Sequence, residues 1–85
     1  MSARVSLSLT TSNAAEVCEI LWWASVELDS RAQDLENNRA NVREGLEPAE
    51  NWTDDDDVFL LEIRRQEKLA AKVAATLRDK VSTSR

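Results

Sequence analysis

Eighty-five residues make one small domain, and 16 Asp+Glu against 11 Lys+Arg leave a formal net charge of −5. Histidine and tyrosine are absent and there is one cysteine, which excludes zinc sites of the usual kind, Ser/His or Cys/His catalysis and an internal disulfide. A chain of this length buries only about 60% of its unfolded surface, so stability is short unless something beyond the single chain supplies it.

Residues 4–10 alternate strictly, with Val5, Leu7 and Leu9 set against Ser6, Ser8 and Thr10. That period predicts a half-buried strand within an extended arm over residues 1–12. No second strand-like segment exists to pair with it, so Val5, Leu7 and Leu9 are expected to pair with another copy or a partner. From Asn13 the period changes. Asn13 and Glu16 have the spacing of a capping box, and Leu21, Leu28, Leu35 and Val42 recur by sevens with Cys18, Ser25 and Ala32 between them. A first helix is predicted over 13–44, roughly 45 Å long, and Gly45 supplies a left-handed C-cap.

Gly45 and Pro48 mark a turn over 45–52. Thr53 reads as the N-cap of a second helix over 53–81, with Asp54 to Asp57 in its first turn and 82–85 as a tail. Phe59, Ile63, Ala70, Val73, Leu77 and Val81 are predicted to form its buried stripe. The fold class is therefore mainly α: an antiparallel two-helix hairpin preceded by a short N-terminal strand or extended arm, completed as a helical bundle in an oligomer.

Both helices carry more apolar residues than one partner can cover. Ile20-Leu21-Trp22-Trp23-Ala24 is apolar around the circumference, and so is Val58-Phe59-Leu60-Leu61. Trp22, Trp23, Val26, Val58, Phe59, Leu60 and Leu61 are accordingly the expected partner interface; the competing reading folds the N-terminal strand over the tryptophans. In an antiparallel hairpin Trp23 should stand level with about residue 75 and Phe59 with about residue 38. A two-fold antiparallel dimer would then set the Phe59 end of one copy over the Trp23 end of the other.

Charge is equally uneven. Residues 44–57 carry seven acids and no base, whereas residues 58–85 carry seven bases and three acids. The acidic patch Glu47, Glu50, Asp54, Asp55, Asp56 and Asp57 lacks the alternation and turn glycine of an EF-hand. Acids in a first helical turn complement the helix dipole; the functional alternative is recognition of a basic protein surface or mimicry of a nucleic-acid backbone. Arg64, Arg65, Lys68 and Lys72 read as a solvated basic face, or as one that meets an acidic surface or a phosphorylated ligand. Cys18 reads as a small core residue.

Three short stretches invite family comparison. Glu16-x-x-Glu19 followed by Ile20-Leu21-Trp22-Trp23 resembles, over about eight residues, the E-x-x-D-x-L-W-[YW] helix of MazG-type nucleotide pyrophosphohydrolases. That resemblance implies Mg²⁺ held by carboxylates on facing helices against a nucleotide triphosphate. Here the preceding helix with its own glutamate pair is missing, and the second acid is Glu19 in place of Asp. Val5-x-Leu7-x-Leu9 before a helix resembles the opening of ribbon-helix-helix repressors and antitoxins, over residues 4 to about 28. It implies a strand pair in the DNA major groove, yet Ser6, Ser8 and Thr10 would face the bases with only Arg4 basic nearby. The hairpin with Trp52 near its turn is similar to the small WxG-type secreted hairpins, without their diagnostic glycine.

The reading favoured by these residues is a non-enzymatic protein–protein interaction module, a small bacterial or phage regulator or inhibitor that oligomerises, docks on a partner protein, or both. A dimer is favoured, and no cofactor or metal is expected. Net negative charge disfavours nucleic acid. The longest uninterrupted apolar run, Ile20–Ala24, is too short for a signal peptide or a membrane span, so a cytoplasmic location without membrane contact is expected. The sequon-like Asn51-Trp52-Thr53 then reads as a helix start. The alternatives are a ribbon-helix-helix-like DNA-binding protein and a degenerate MazG-like enzyme.

Overall fold

The computed structural model describes residues 7–83. Residues 7–10, without regular structure, lead into α1 (Thr11–Arg43), and a short 3₁₀ turn (Ala49–Asn51) precedes α2 (Asp54–Thr83). The two helices lie antiparallel as a hairpin, with no strand among the described residues. Of the residues expected to pair as a strand, Val5 lies outside the described residues, and Leu7 and Leu9 join no ladder. With no second strand in the described chain, the backbone of the arm gains nothing from a β conformation.

α1 starts three residues earlier than Asn13 as N-cap would require. Thr10 takes an extended conformation (φ −65°, ψ 157°) and its Oγ1 accepts a hydrogen bond from the Asn13 amide at 3.1 Å. Thr10-Thr11-Ser12-Asn13 offers four capping side chains in a row, and the outermost adds most of a turn to the helix at little cost. At the other end Gly45 adopts φ 80°. Its amide donates to the Val42 carbonyl (3.1 Å) and the Leu46 amide donates to the Asn41 carbonyl (2.8 Å), the paired bonds of a Schellman motif. Thr53 opens α2 in a reciprocal cap. Its amide donates to the Asp56 carboxylate (2.9 Å) and its Oγ1 accepts from the Asp56 amide (3.4 Å).

The seam of α1 follows the sevenfold spacing: Ser25 and Ala32 are buried, with Cys18, Leu21, Leu28, Leu35 and Val42 partly so. α2 keeps Ile63, Ala70, Leu77 and Val81 of the expected stripe but sets Leu60 and Ala74 inward in place of Phe59 and Val73. Leu60, Ile63, Ala70 and Ala74 are buried, whereas Phe59 and Val73 are 49% and 38% exposed. Leu60, Ile63, Glu67, Ala70, Ala74, Leu77 and Val81 alternate steps of three and four, which is what a partner with a strict seven-residue repeat requires. Phe59 stands about 100° round the helix from Leu60, on a flank. Leu60 therefore belongs to the core, with Ala32, Ile63, Leu28, Leu35 and Trp52 around it, and not to an exposed interface.

The register is also fixed by cross-links between the helices. Arg64 reaches Asp29 and Glu36, Arg39 approaches Asp57, and the Cys18 thiol donates to the Ala74 carbonyl at 3.1 Å. Trp23 thus stands level with about residue 71 and Phe59 with about residue 35, close to one turn from the levels expected. The seam frame makes neighbouring leucines unequal. Leu60→Ala should cost roughly 2–5 kcal/mol, and Leu61→Ala, at 72% exposure, under about 0.5 kcal/mol. Reversible denaturant unfolding followed by circular dichroism would check both.

Candidate functional site

The best-connected side chain is Arg64. It projects from α2 along one flank of the seam and donates to three carboxylates: Asp29 Oδ1 (2.6 Å), Glu67 Oε1 (2.7 Å) and Glu36 Oε1 (2.8 Å from Nε). Its Nη2 also bonds Glu36. Hydrogen bonds that it donates to Asp29, Glu67 and Glu36 raise its pKa further above an already high value, so the guanidinium is a permanent cation. Glu67 occupies a seam position, and Arg64 satisfies it from one turn away while joining it to two acids of α1. Arg65 instead pairs with Glu62 on its own helix, holding that carboxyl below the usual range. The expected basic face is thus divided: Arg64 is spent on the hairpin, leaving Arg65, Lys68 and Lys72 on the exposed part of α2.

The acidic segment is likewise drawn into the turn. Asp57 Oδ1 accepts from the Trp52 indole Nε1 at 3.0 Å and lies 3.8 Å from Arg39. Asp56 caps Thr53, and Glu47 accepts from the Asn51 side chain at 3.0 Å. Trp52 packs against the Ala32–Leu60–Ile63 cluster, closing the turn end of the core. Asp54 and Asp55 stay exposed. Among the described residues, no three acidic or thiol groups lie close enough to hold a metal ion. Glu16 and Glu19 share an open surface pocket with Ile20 and Trp23, and across the helices Glu19 shares a groove with Arg78, a cation, not a third carboxylate. α1 runs unbroken through residue 28, where the ribbon-helix-helix pattern turns.

What remains is apolar surface. Ile20, Trp22, Trp23 and Val26 are 65%, 51%, 59% and 43% exposed; Val58 and Leu61 are exposed as well. The hairpin does not bring these residues onto one face. Trp22 lines a groove of about 210 Å³ with Ala15, Cys18, Ala74 and Arg78 on the Arg64 side of the two-helix layer. By helical phase Val26 and Leu61 lie on that side too, while Phe59 lies on the other and Trp23 and Val58 on opposite outer edges. Trp22, Trp23 and Val26 form a continuous patch on α1; Val58, Phe59 and Leu61 sit roughly 20 Å away toward the turn. Residues 7–10, the described part of the arm, do not lie over the tryptophans. Leu7 and Leu9 line a separate groove of about 510 Å³ with Val17, Leu21, Val73 and Leu77.

Sequence reasoning overlooked Arg64 as a cross-link and Trp52 as a lid. Glu67 was the available signal for the first, since an acid between Ile63 and Ala70 in a three-four register needs a nearby cation. No membrane-spanning helix occurs among the described residues. Compared with protein-family models, curated proteins and solved structures, the chain matches none.

Because Arg64 is 29% exposed, its pairs are partly screened. Arg64→Gln should lower stability by about 1 kcal/mol and flatten the dependence of Tm on salt; thermal melts at low and high ionic strength would check both effects.

Proposed function

We propose that this chain is a protein-binding module without catalytic activity, which docks on a partner protein through Trp22, Trp23 and Val26. The observation that carries this reading is the mismatch between shape and composition. The molecule measures 55 × 28 × 14 Å with a radius of gyration of 17.4 Å, against about 12 Å for a compact chain of this length. Its surface is 6923 Å², against about 5,100 Å² for a compact monomer of this mass. Large apolar side chains account for part of the excess, including two adjacent tryptophans that the hairpin leaves half exposed. Tryptophan contributes disproportionately at interfaces because it desolvates a large area for few rotatable bonds.

A module of this kind acts by occupying a surface. That suits a regulator or inhibitor, with the acidic turn biasing the choice toward basic partners. Val58 and Leu61 extend the contact if the partner is long enough to span both patches. Association with a second copy belongs to the same reading, since a two-helix layer gains most by becoming a bundle.

The test is capture from cells that naturally produce the chain, followed by reconstitution with the purified partner. Trp22→Ala and Trp23→Ala should each weaken the reconstituted complex at least tenfold, since a central interface tryptophan contributes about 2 kcal/mol or more. Helix content should be unchanged. Unaltered affinity in both variants would remove the reading. Intrinsic fluorescence provides a second readout: emission from Trp22 and Trp23 should be readily quenched by acrylamide in the free protein and protected in the complex.

A further inference from the structure

The side of the layer away from Trp22 and Arg64 carries a second apolar surface, at the open end of the hairpin. Val17, Leu21, Val73 and Leu77 line its groove, with Leu9 at the rim. Ile20 and Leu69 extend it, each on the same side by helical phase and 65% and 52% exposed. Leu9 and Val73 remain 42% and 38% exposed although they border the groove. Leu7 and Leu9 therefore build one wall of this surface without closing it.

We propose that a second copy of this chain covers this side, antiparallel, about a two-fold axis passing near Val73. Two observations select that occupant. The first is area: the surface exceeds that of a compact monomer by roughly 1,800 Å², about twice what a standard interface takes from each partner. An interface of that size on the Trp22 side still leaves Ile20, Leu69 and Val73 exposed. The second is charge. Residues 44–57 carry seven acids and no base, so a parallel pair would set two strongly acidic turns side by side. An antiparallel pair centred on the open end sends the turns in opposite directions. The apolar patch is at its own two-fold, as an isologous contact demands.

This inference uses a different surface from the tryptophan patch and stands or falls separately. Sedimentation equilibrium of the full chain should give twice 9.6 kDa. A chain carrying both Ile20→Glu and Leu69→Glu should sediment at the single-chain mass with helical circular dichroism retained, because both positions are exposed in the hairpin. Trp22→Ala with Trp23→Ala should leave the dimer intact. For orientation, Val73→Cys in a Cys18→Ala background should form a disulfide between copies on oxidation, whereas Asn51→Cys in the same background should not. A wild-type chain that sediments as a monomer, or a dimer indifferent to the two glutamates, would overturn the proposal. So would a dimer lost with the tryptophans, or cross-linking through Asn51→Cys.

Discussion

The structure depends on one geometric limit: a helix can give only one stripe to a single neighbour. α1 and α2 meet along a seam of alternating three- and four-residue steps, and small residues occupy much of it. Ser25, Ala32, Ala70 and Ala74 let the backbones approach closely, but each buries little apolar area. Leu60 and Ile63 are the only large apolar side chains buried among the described residues. The chain thus commits its bulkiest residues, Trp22, Trp23 and Phe59 among them, to positions that the hairpin cannot enclose. A thin layer and an excess of apolar surface are two consequences of the same seam.

Polar groups set which hairpin forms. Apolar contacts along a small-residue seam discriminate weakly between registers one turn apart, because alanine fits opposite alanine in several of them. Arg64 discriminates strongly: its fork meets Asp29 and Glu36 on α1 and Glu67 on its own helix only in the observed register. Trp52 fixes the other end, packed on Ala32 and Leu60 and held by Asp57. The Schellman turn at Gly45 then delivers the chain into the loop with the Asn41 and Val42 carbonyls satisfied. The acidic run that looks like a binding feature in one dimension is partly consumed in building this turn.

The hairpin and the α1 seam were legible in the sequence because Leu21, Leu28, Leu35 and Val42 have polar neighbours over much of their length, which defines the phase. The α2 seam was legible only in part: Ile63, Ala70, Leu77 and Val81 were expected there, Leu60 and Ala74 were not. Val58-Phe59-Leu60-Leu61 is apolar all round, so hydrophobicity cannot say which of four residues turns inward, and Ala74 carries no more signal than Ala75. The choice is made by α1, whose repeat selects Leu60 and rejects Phe59. Similarly, only Glu67 distinguishes Arg64 from Arg65 locally; the rest of the distinction lies in acids 28 and 35 residues away. Leu7 and Leu9 line one groove, but the ladder expected of the alternation over residues 4–10 requires a second strand that the described chain does not contain.

The two proposals assign different surfaces of one layer to different occupants, the Val73 side to a second copy and the Trp22–Trp23–Val26 patch to a partner. The claim beneath both is that association adds stability to a hairpin that is only marginally stable alone. The most direct measurement is the thermal midpoint of the wild-type chain across a roughly hundredfold range of protein concentration. Folding coupled to association requires Tm to rise steadily with concentration by mass action. A midpoint independent of concentration, with a single-chain mass throughout the range, would contradict the account.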